Sequence, residues 1–323
     1  MTDAVSIENL GVTFSTGRGP LRAVDGVSLS LKQGEVLALL GESGSGKSVT
    51  LRSILRLHPP RRTVMTGAIR VGGEDVLAKS ESEMEDLRGA RVAMIFQEPM
   101  LALDPVYTLG QQIVETIRRH ENLSEADAHA RALALFEKVR IPSPERRLAA
   151  YPHEMSGGMR QRAMIALALS CRPKVLLADE PTTALDATVQ IQILLLLREL
   201  QTELGLSIIF VTHGLGVAVE VADRIAVMYA GRIVESGSVK DVMRSPRHPY
   251  TRGLLASRVE LAPKGTRLQT IPGAPPDLAA LPPGCPFAPR CALAVAGCTA
   301  GRPELASVGP GHDAACFRSD ALV

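Results

Sequence analysis

No apolar stretch of this 323-residue chain approaches the ~20 residues that a membrane-spanning helix needs. The greasiest helical segment, around Leu194 to Leu197, is closed by Arg198 and Glu199, so any attachment to a membrane has to come through other proteins. Nor is one sign of charge in surplus: 36 basic against 34 acidic residues leave a net +2, which gives no electrostatic reason to expect nucleic acid as a partner. The start, Met1-Thr2-Asp3-Ala4-Val5, lacks a basic region followed by an apolar run. No export signal is therefore expected, and the expected compartment is the cytoplasm, where structural disulfides are disfavoured. The core pattern is not repeated along the chain, so a single copy is expected.

What is present is the composition of a globular protein, 46% hydrophobic and 22% charged, at a length that suggests two domains. Short β-rich runs at 5–10, 35–40, 91–96, 174–179 and 207–211 alternate with helical patterns, which predicts an α/β sheet architecture. From about Leu109 to Ser170 helix follows helix without convincing strands, the pattern of a helical insert. Beyond about Arg244 the character changes again. Ten of the 22 prolines fall between Pro263 and Pro310, which makes long regular elements improbable and predicts a separate tail dominated by loops.

Gly41-Glu42-Ser43-Gly44-Ser45-Gly46-Lys47-Ser48 follows the apolar run Val36-Leu37-Ala38-Leu39-Leu40 and precedes a helix-compatible stretch. That strand, loop and helix context is what a phosphate-binding loop requires. Glycines let the backbone fold tightly enough for successive N–H groups to face phosphate oxygens, and the helix adds its positive end. Lys47 is then placed to neutralise the β- and γ-phosphates, and Ser48 to ligate magnesium. Such a loop says nucleotide and not which machine, since kinases, switches, motors and transporters all use it. Further along, Val175-Leu176-Leu177-Ala178-Asp179-Glu180 is a buried-strand pattern that ends in two acids. Asp179 can hold magnesium directly or through water, and Glu180 can take a proton from an attacking water.

With Pro181-Thr182-Thr183-Ala184-Leu185-Asp186 following the acids, the residues resemble the ATP-binding-cassette ATPases, in the family's order and over nearly the whole chain. The resemblance implies a P-loop NTPase core over residues 1–243, with a β-rich N-terminal part and a helical subdomain at about 98–170. Gln97 matches the family's glutamine loop, which contacts magnesium or water. Met155-Ser156-Gly157-Gly158-Met159 matches the signature loop, which serves the γ-phosphate held by the opposite subunit, so that the active unit is a head-to-tail pair. Asp186 closes the dimer-contact loop, His213 matches the switch histidine, and Phe14 the aromatic that stacks on adenine. As isolated residues, Gln97 would be surface, Ser156 a helix cap, His213 solvated and Phe14 core. Met155, Met159, Gly214 and Phe14 depart from the commonest residues of the pattern, which bears on the pairing interface and on adenine affinity.

His153-Glu154-Met155-Ser156-Gly157-Gly158-Met159-Arg160-Gln161-Arg162 looks like the dipeptide, oligopeptide and nickel importer ATPases, and Arg247-His248-Pro249-Tyr250 with Pro282 to Cys291 is similar to that subfamily's extension, here 244–323. The implied protein is an ATP-hydrolysing subunit of a bacterial importer for peptides, or for nickel or another solute. Its implied place is the cytoplasmic face of the inner membrane, with a second cassette, two permeases and, indirectly, a solute-binding protein as partners. A soluble cassette clamp and a P-loop kinase are the other classes. The signature, glutamine loop and switch histidine weigh against a kinase. Four of the five cysteines, Cys285, Cys291, Cys298 and Cys316, crowd the tail with five, six and seventeen residues between them. That is neither a double CxxC zinc pattern nor a ferredoxin run. Some members of the subfamily carry an iron-sulfur cluster there, which makes a [4Fe-4S] centre the expectation, zinc the second and four reduced thiols the third. Cys171 is expected to be a small buried apolar residue.

Overall fold

The computed structural model describes residues 3–183, 185–212, 214–257 and 270–322. In chain order its strands are β1 (Asp3–Thr16), β2 (Gly19–Lys32), β3 (Val36–Leu40), β4 (Thr63–Val71), β5 (Glu74–Asp75), β6 (Val92–Ile95), β7 (Val175–Asp179), β8 (Ser207–Thr212), β9 (Arg224–Tyr229), β10 (Arg232–Ser238), β11 (Ala306–Gly309) and β12 (His312–Ala314). The chain divides into two compact units, one built on Ala78–Phe210 and the other on Val5–Ser30, Glu35–Leu77 and Val211–Val323.

In the first unit β6 and β7 run parallel, in register from Val92 opposite Val175 to Ile95 opposite Ala178, with β8 beside β7. Every residue of these three strands is buried, as continuous apolar runs covered on both faces should be. The predicted helical insert is there as helices Leu109–His120, Glu125–Lys138, Pro144–Leu148 and Gly157–Leu169. Each of the first two is started by a hydroxyl: Thr108 accepts from the Gln111 N–H in a capping box, and Ser124 from the Asp127 N–H. Their buried faces, Leu109, Ile113 and Ile117 in one and Ala128, Ala132 and Phe136 in the other, keep the four-residue spacing of an apolar helix stripe.

The second unit holds an antiparallel sheet in the order β2-β1-β4-β5, with β1 and β4 paired from Val5 opposite Val71 to Phe14 opposite Thr63. It also holds strands in the order β11-β12-β10-β9-β3, in which β3 and β9 are parallel and the others antiparallel. The tail is thus built into a sheet. Its described regular elements beyond Arg244 are short, the longest being the 8-residue helix Pro249–Ala256, yet β12 pairs with β10 at Glu235 and Ser236. Prolines exclude long elements there and leave room for a short strand free of them.

Glu235 fastens this pairing. Fully buried on β10, its carboxylate accepts the backbone N–H groups of Arg247 at 2.7 Å and His248 at 3.0 Å and faces His312 Nε2 of β12 at 2.8 Å. A carboxylate survives burial only with such a set of donors. The His248 ring, in turn, accepts the Tyr250 N–H at Nδ1, and complete burial pushes its pKa down to about 3 from 6.5.

Between those values the unfolded chain carries a proton on His248 that the folded chain does not, so stability rises with pH. The His248 contribution is whole above about pH 6.5 and is lost as pH falls, at about 1.4 kcal/mol per unit. Unfolding free energies of the native chain and His248→Gln, compared from pH 7 to pH 5, should differ in slope, the native chain losing about 2 kcal/mol more.

Candidate functional site

The phosphate loop begins where β3 ends, and its shape leaves no room for a side chain at Gly41 or Gly46. Gly41 has φ +151°, and a Cβ on it would lie 2.2 Å from the Met228 carbonyl oxygen. Gly46, with φ +103°, caps the helix Lys47–Ile54, and a Cβ there would meet the Ala23 carbonyl oxygen and Met228 Cε, each at 2.7 Å. Gly44 also takes a left-handed turn, at φ +77°. Ser43 and Gly44 are exposed at the crest, and Ser48 is half-buried in the first turn of the helix. Lys47 reaches back along the loop. Its Nζ donates to the carbonyl oxygens of Gly41 at 2.8 Å and Glu42 at 2.9 Å and lies 3.4 Å from Ser45 Oγ, which holds a buried ammonium beside the amides that would face an anion. Phe14, in the same unit, is half-buried and edge-on to His58, with ring centroids 5.3 Å apart. Burial holds the His58 imidazole below its usual pKa, and Arg52 adds to that effect.

The acidic pair stands in the other unit. Asp179 closes β7 with no exposure and Glu180 follows at 7%. Because Ile95 is paired with Ala178, Gln97 and Glu180 each leave their parallel strands two residues later and meet. Gln97 Nε2 donates to Glu180 Oε2 at 2.9 Å, and Thr183 Oγ1 donates to the same oxygen at 3.0 Å. Glu180 has φ +48°, a left-handed conformation that is uncommon for a residue with a side chain and is found where surroundings fix it. With its amide nitrogen committed to Glu180, Gln97 keeps its carbonyl oxygen as the acceptor end. Thr183 was legible only as part of a motif, and its hold on Glu180 comes from the turn in which the Thr183 N–H bonds the Glu180 carbonyl at 3.2 Å.

Two further loops of that unit open helices. Ser156 caps Gly157–Leu169, its Oγ accepting the Met159 N–H at 3.4 Å, and Asp186 caps Ala187–Leu204, accepting the Val189 N–H at 3.0 Å. The two caps touch: a Cβ on Gly157 would be 3.4 Å from Leu185 Cδ2, and one on Gly158 would be 2.8 Å from Val189 Cγ1. Ser156 and Asp186 are both exposed. Met159, which departs from the common signature residue, supplies only its backbone N–H to the cap. His213 lies outside the described residues, as does Ala184.

In the tail, Cys285, Cys291, Cys298 and Cys316 all line one small pocket, and the Cys285 N–H donates to the Cys298 carbonyl at 2.7 Å. All are free thiols, and burial pushes the thiols of Cys285, Cys291 and Cys316 up. Among the described residues no group of three or more His, Cys, Asp or Glu is arranged to hold a metal ion. Cys171 is buried, its thiol is raised by that burial, and it sits 3.6 Å from the Thr116 carbonyl, a packing residue as expected.

Residues 24–183 match the ABC transporter family, and residues 234–298 match the oligopeptide/dipeptide transporter C-terminal region. A Brucella abortus (strain 2308) protein named as a peptide import ATP-binding protein is 51% identical over 97% of this chain and 96% of its own. The chain belongs to the ABC transporter family, as an ABC-type ATPase. The dipeptide transport ATP-binding protein DppD of Bacillus subtilis (strain 168) is 47% identical over 99% of this cassette chain and 96% of that protein. Among solved structures, a post-hydrolysis dimer of the ATP-binding cassette MJ0796 bound to ADP and Pi superposes with a TM-score of 0.66 at 28% identity, covering 73% of this chain and 98% of that one. No helix among the described residues of the cassette is long and apolar enough to cross a membrane.

Replacing Gly41 with alanine is expected to cost the loop at least about 2 kcal/mol in strain and displacement. Equilibrium titration with Mg-ATP should show a weakened Kd for Gly41→Ala, and the thermal midpoint of the unliganded chain should fall by roughly a few degrees.

Proposed function

We propose that this chain is the ATP-binding and hydrolysing subunit of a bacterial peptide importer, peripheral to the membrane, coupling nucleotide turnover to separate permeases. Identity near one half over essentially full length to peptide-import ATPases, extension included, is the observation that carries the reading.

The residues fit the nucleotide and its metal. The glycine-built loop and the buried Lys47 suit the phosphates, and Phe14 the adenine. The fully buried Asp179, Ser48 and the Gln97 carbonyl are oxygen donors of the kind Mg2+ takes. Bound Mg2+ would neutralise charge on the phosphates. Glu180, its Oε2 fixed by Gln97 and Thr183, would receive the proton of a water attacking the γ-phosphate. His213 would contact that phosphate. The exposed Ser156 and the half-buried Gly157 and Gly158, at a helix start beside Asp186, would face the phosphate held by a second cassette, identical or homologous. Closure and reopening of the pair would then follow from γ-phosphate contacts made and lost. Just beyond Gln97, Met100, Val106 and Tyr107 stand 44, 70 and 50% exposed, apolar side chains that a cytoplasmic segment of the permease would cover.

For the tail, four thiols round one pocket are donors of the kind a [4Fe-4S] centre takes, one for each iron. Bound there, it would supply folding energy to a segment with little core.

Glu180→Gln should retain ATP binding, lose at least about a hundredfold in turnover, and accumulate as a nucleotide-closed pair on size exclusion. Wild-type turnover by that variant would refute the proton-acceptor role. Anaerobically purified chain should carry iron and sulfide near four each per chain, with visible absorption. Zinc without iron, or four titratable thiols without metal, would remove the cluster from the reading.

A further inference from the structure

The phosphate loop is held from outside by the tail, and everything involved lies within one unit of the fold. Glu42, the second residue of the loop, has its carboxylate gripped at both oxygens by Arg290: Nη1 donates to Oε2 at 2.7 Å and Nη2 to Oε1 at 3.0 Å. Its backbone N–H donates to the Tyr250 hydroxyl at 2.8 Å. On the loop side, the Glu42 carbonyl accepts both the Lys47 ammonium at 2.9 Å and the Ser45 N–H at 3.2 Å. A single residue therefore joins the tail on one side to the two groups that shape the phosphate cradle on the other.

The gripping residues are themselves immobilised. Arg290 donates from Nε to the Pro272 carbonyl at 2.8 Å and from Nη1 to the Tyr229 hydroxyl at 3.3 Å, and its guanidinium carbon lies 5.9 Å from the ring centres of Tyr229 and Phe287. Tyr229, Tyr250 and Phe287 pack on one another with centroids 4.5 to 5.4 Å apart. The Glu42 carboxylate, hydrogen-bonded to Arg290, holds the guanidinium above even its ordinary pKa, and burial raises the Tyr250 phenol, so the guanidinium stays charged and the hydroxyl neutral. A bidentate guanidinium-carboxylate pair with the arginine side chain 6% exposed resists the water that dissolves surface ion pairs. Neither Arg290 nor Tyr250 can touch phosphate through this geometry. They are positioning residues.

We propose that Arg290 and Tyr250 set the affinity of the phosphate loop by fixing Glu42, so that the tail, though it contributes no phosphate ligand, is part of the nucleotide site. The turn that carries Arg290, Ala288–Arg290, lies between Cys285 and Cys291, two of the four pocket thiols, which places this control next to whatever those thiols hold. The proposal rests on the assignment of residues 41 to 48 to nucleotide phosphate.

The test is a double-mutant cycle on the full chain, with Mg-ATP as the probe, in equilibrium binding and in steady-state hydrolysis. Glu42→Gln and Arg290→Gln should each raise Kd and KM about tenfold, with kcat changed less than about twofold; the double variant should be no worse than either single one. Arg290→Lys, which keeps the charge and loses the fork, should fall between, and Tyr250→Phe, which deletes one acceptor and little packing, should raise Kd about threefold. Additive losses from the two Gln variants, or a fall in thermal midpoint with Kd unchanged, would overturn the positioning role and leave a purely structural ion pair. Should the native chain and Lys47→Ala bind Mg-ATP equally poorly, the nucleotide assignment itself would fall, and the positioning role with it.

Discussion

A chain can turn several consecutive N–H groups toward one anion only where it has surrendered its side chains, and at Gly41 and Gly46 the surroundings enforce that surrender. Two backbone carbonyls, of Met228 and Ala23, stand where any Cβ would go. Met228 reaches that place because β9 lies parallel to β3, with Leu40 opposite Val227, and Ala23 because β2 runs past the loop. The cradle is thus a property of strand pairing more than of the loop, and the lysine that crosses it is held by the same carbonyls that the turn exposes.

A comparable economy governs the acidic pair. Parallel registry delivers Gln97 and Glu180 to the same level, and one carboxylate oxygen then takes both the amide of Gln97 and the hydroxyl of Thr183. In the proposed role of proton acceptor, Glu180 benefits from being held in one orientation, since misalignment of a proton acceptor costs rate directly. Its left-handed backbone is sustained by this tight turn.

The sequence made visible whatever is local. The buried strands announce themselves by unbroken apolar runs, the loop by its glycines, the insert by helical patterns without strands, and the helix cap at Ser156 by a side chain that competes for backbone donors. What stayed hidden is what pairs across long stretches of chain. Glu42 and Arg290 are 248 positions apart and Glu235 and His312 are 77 apart, and neither pair leaves a trace in the periodicity near its members. The proline count of the tail spoke for irregular backbone and was silent about the three-residue strand β12, which is too short to carry an alternating pattern. The four thiols could be counted, while their convergence on one pocket depended on a turn and a one-turn helix, Ala288–Arg290 and Ala296–Ala300, that bring their neighbours together.

Glu235 gives the extension a standing that its loop-rich character conceals. Shearing the chain after Arg244 would strip three donors from the Glu235 carboxylate and bare the outer margin of β10 as an unpaired edge. A minimal cassette cut from this protein would accordingly be an adhesive fragment, prone to recruit a neighbour's strand, and the gene for it cannot be shortened without first re-inventing that border.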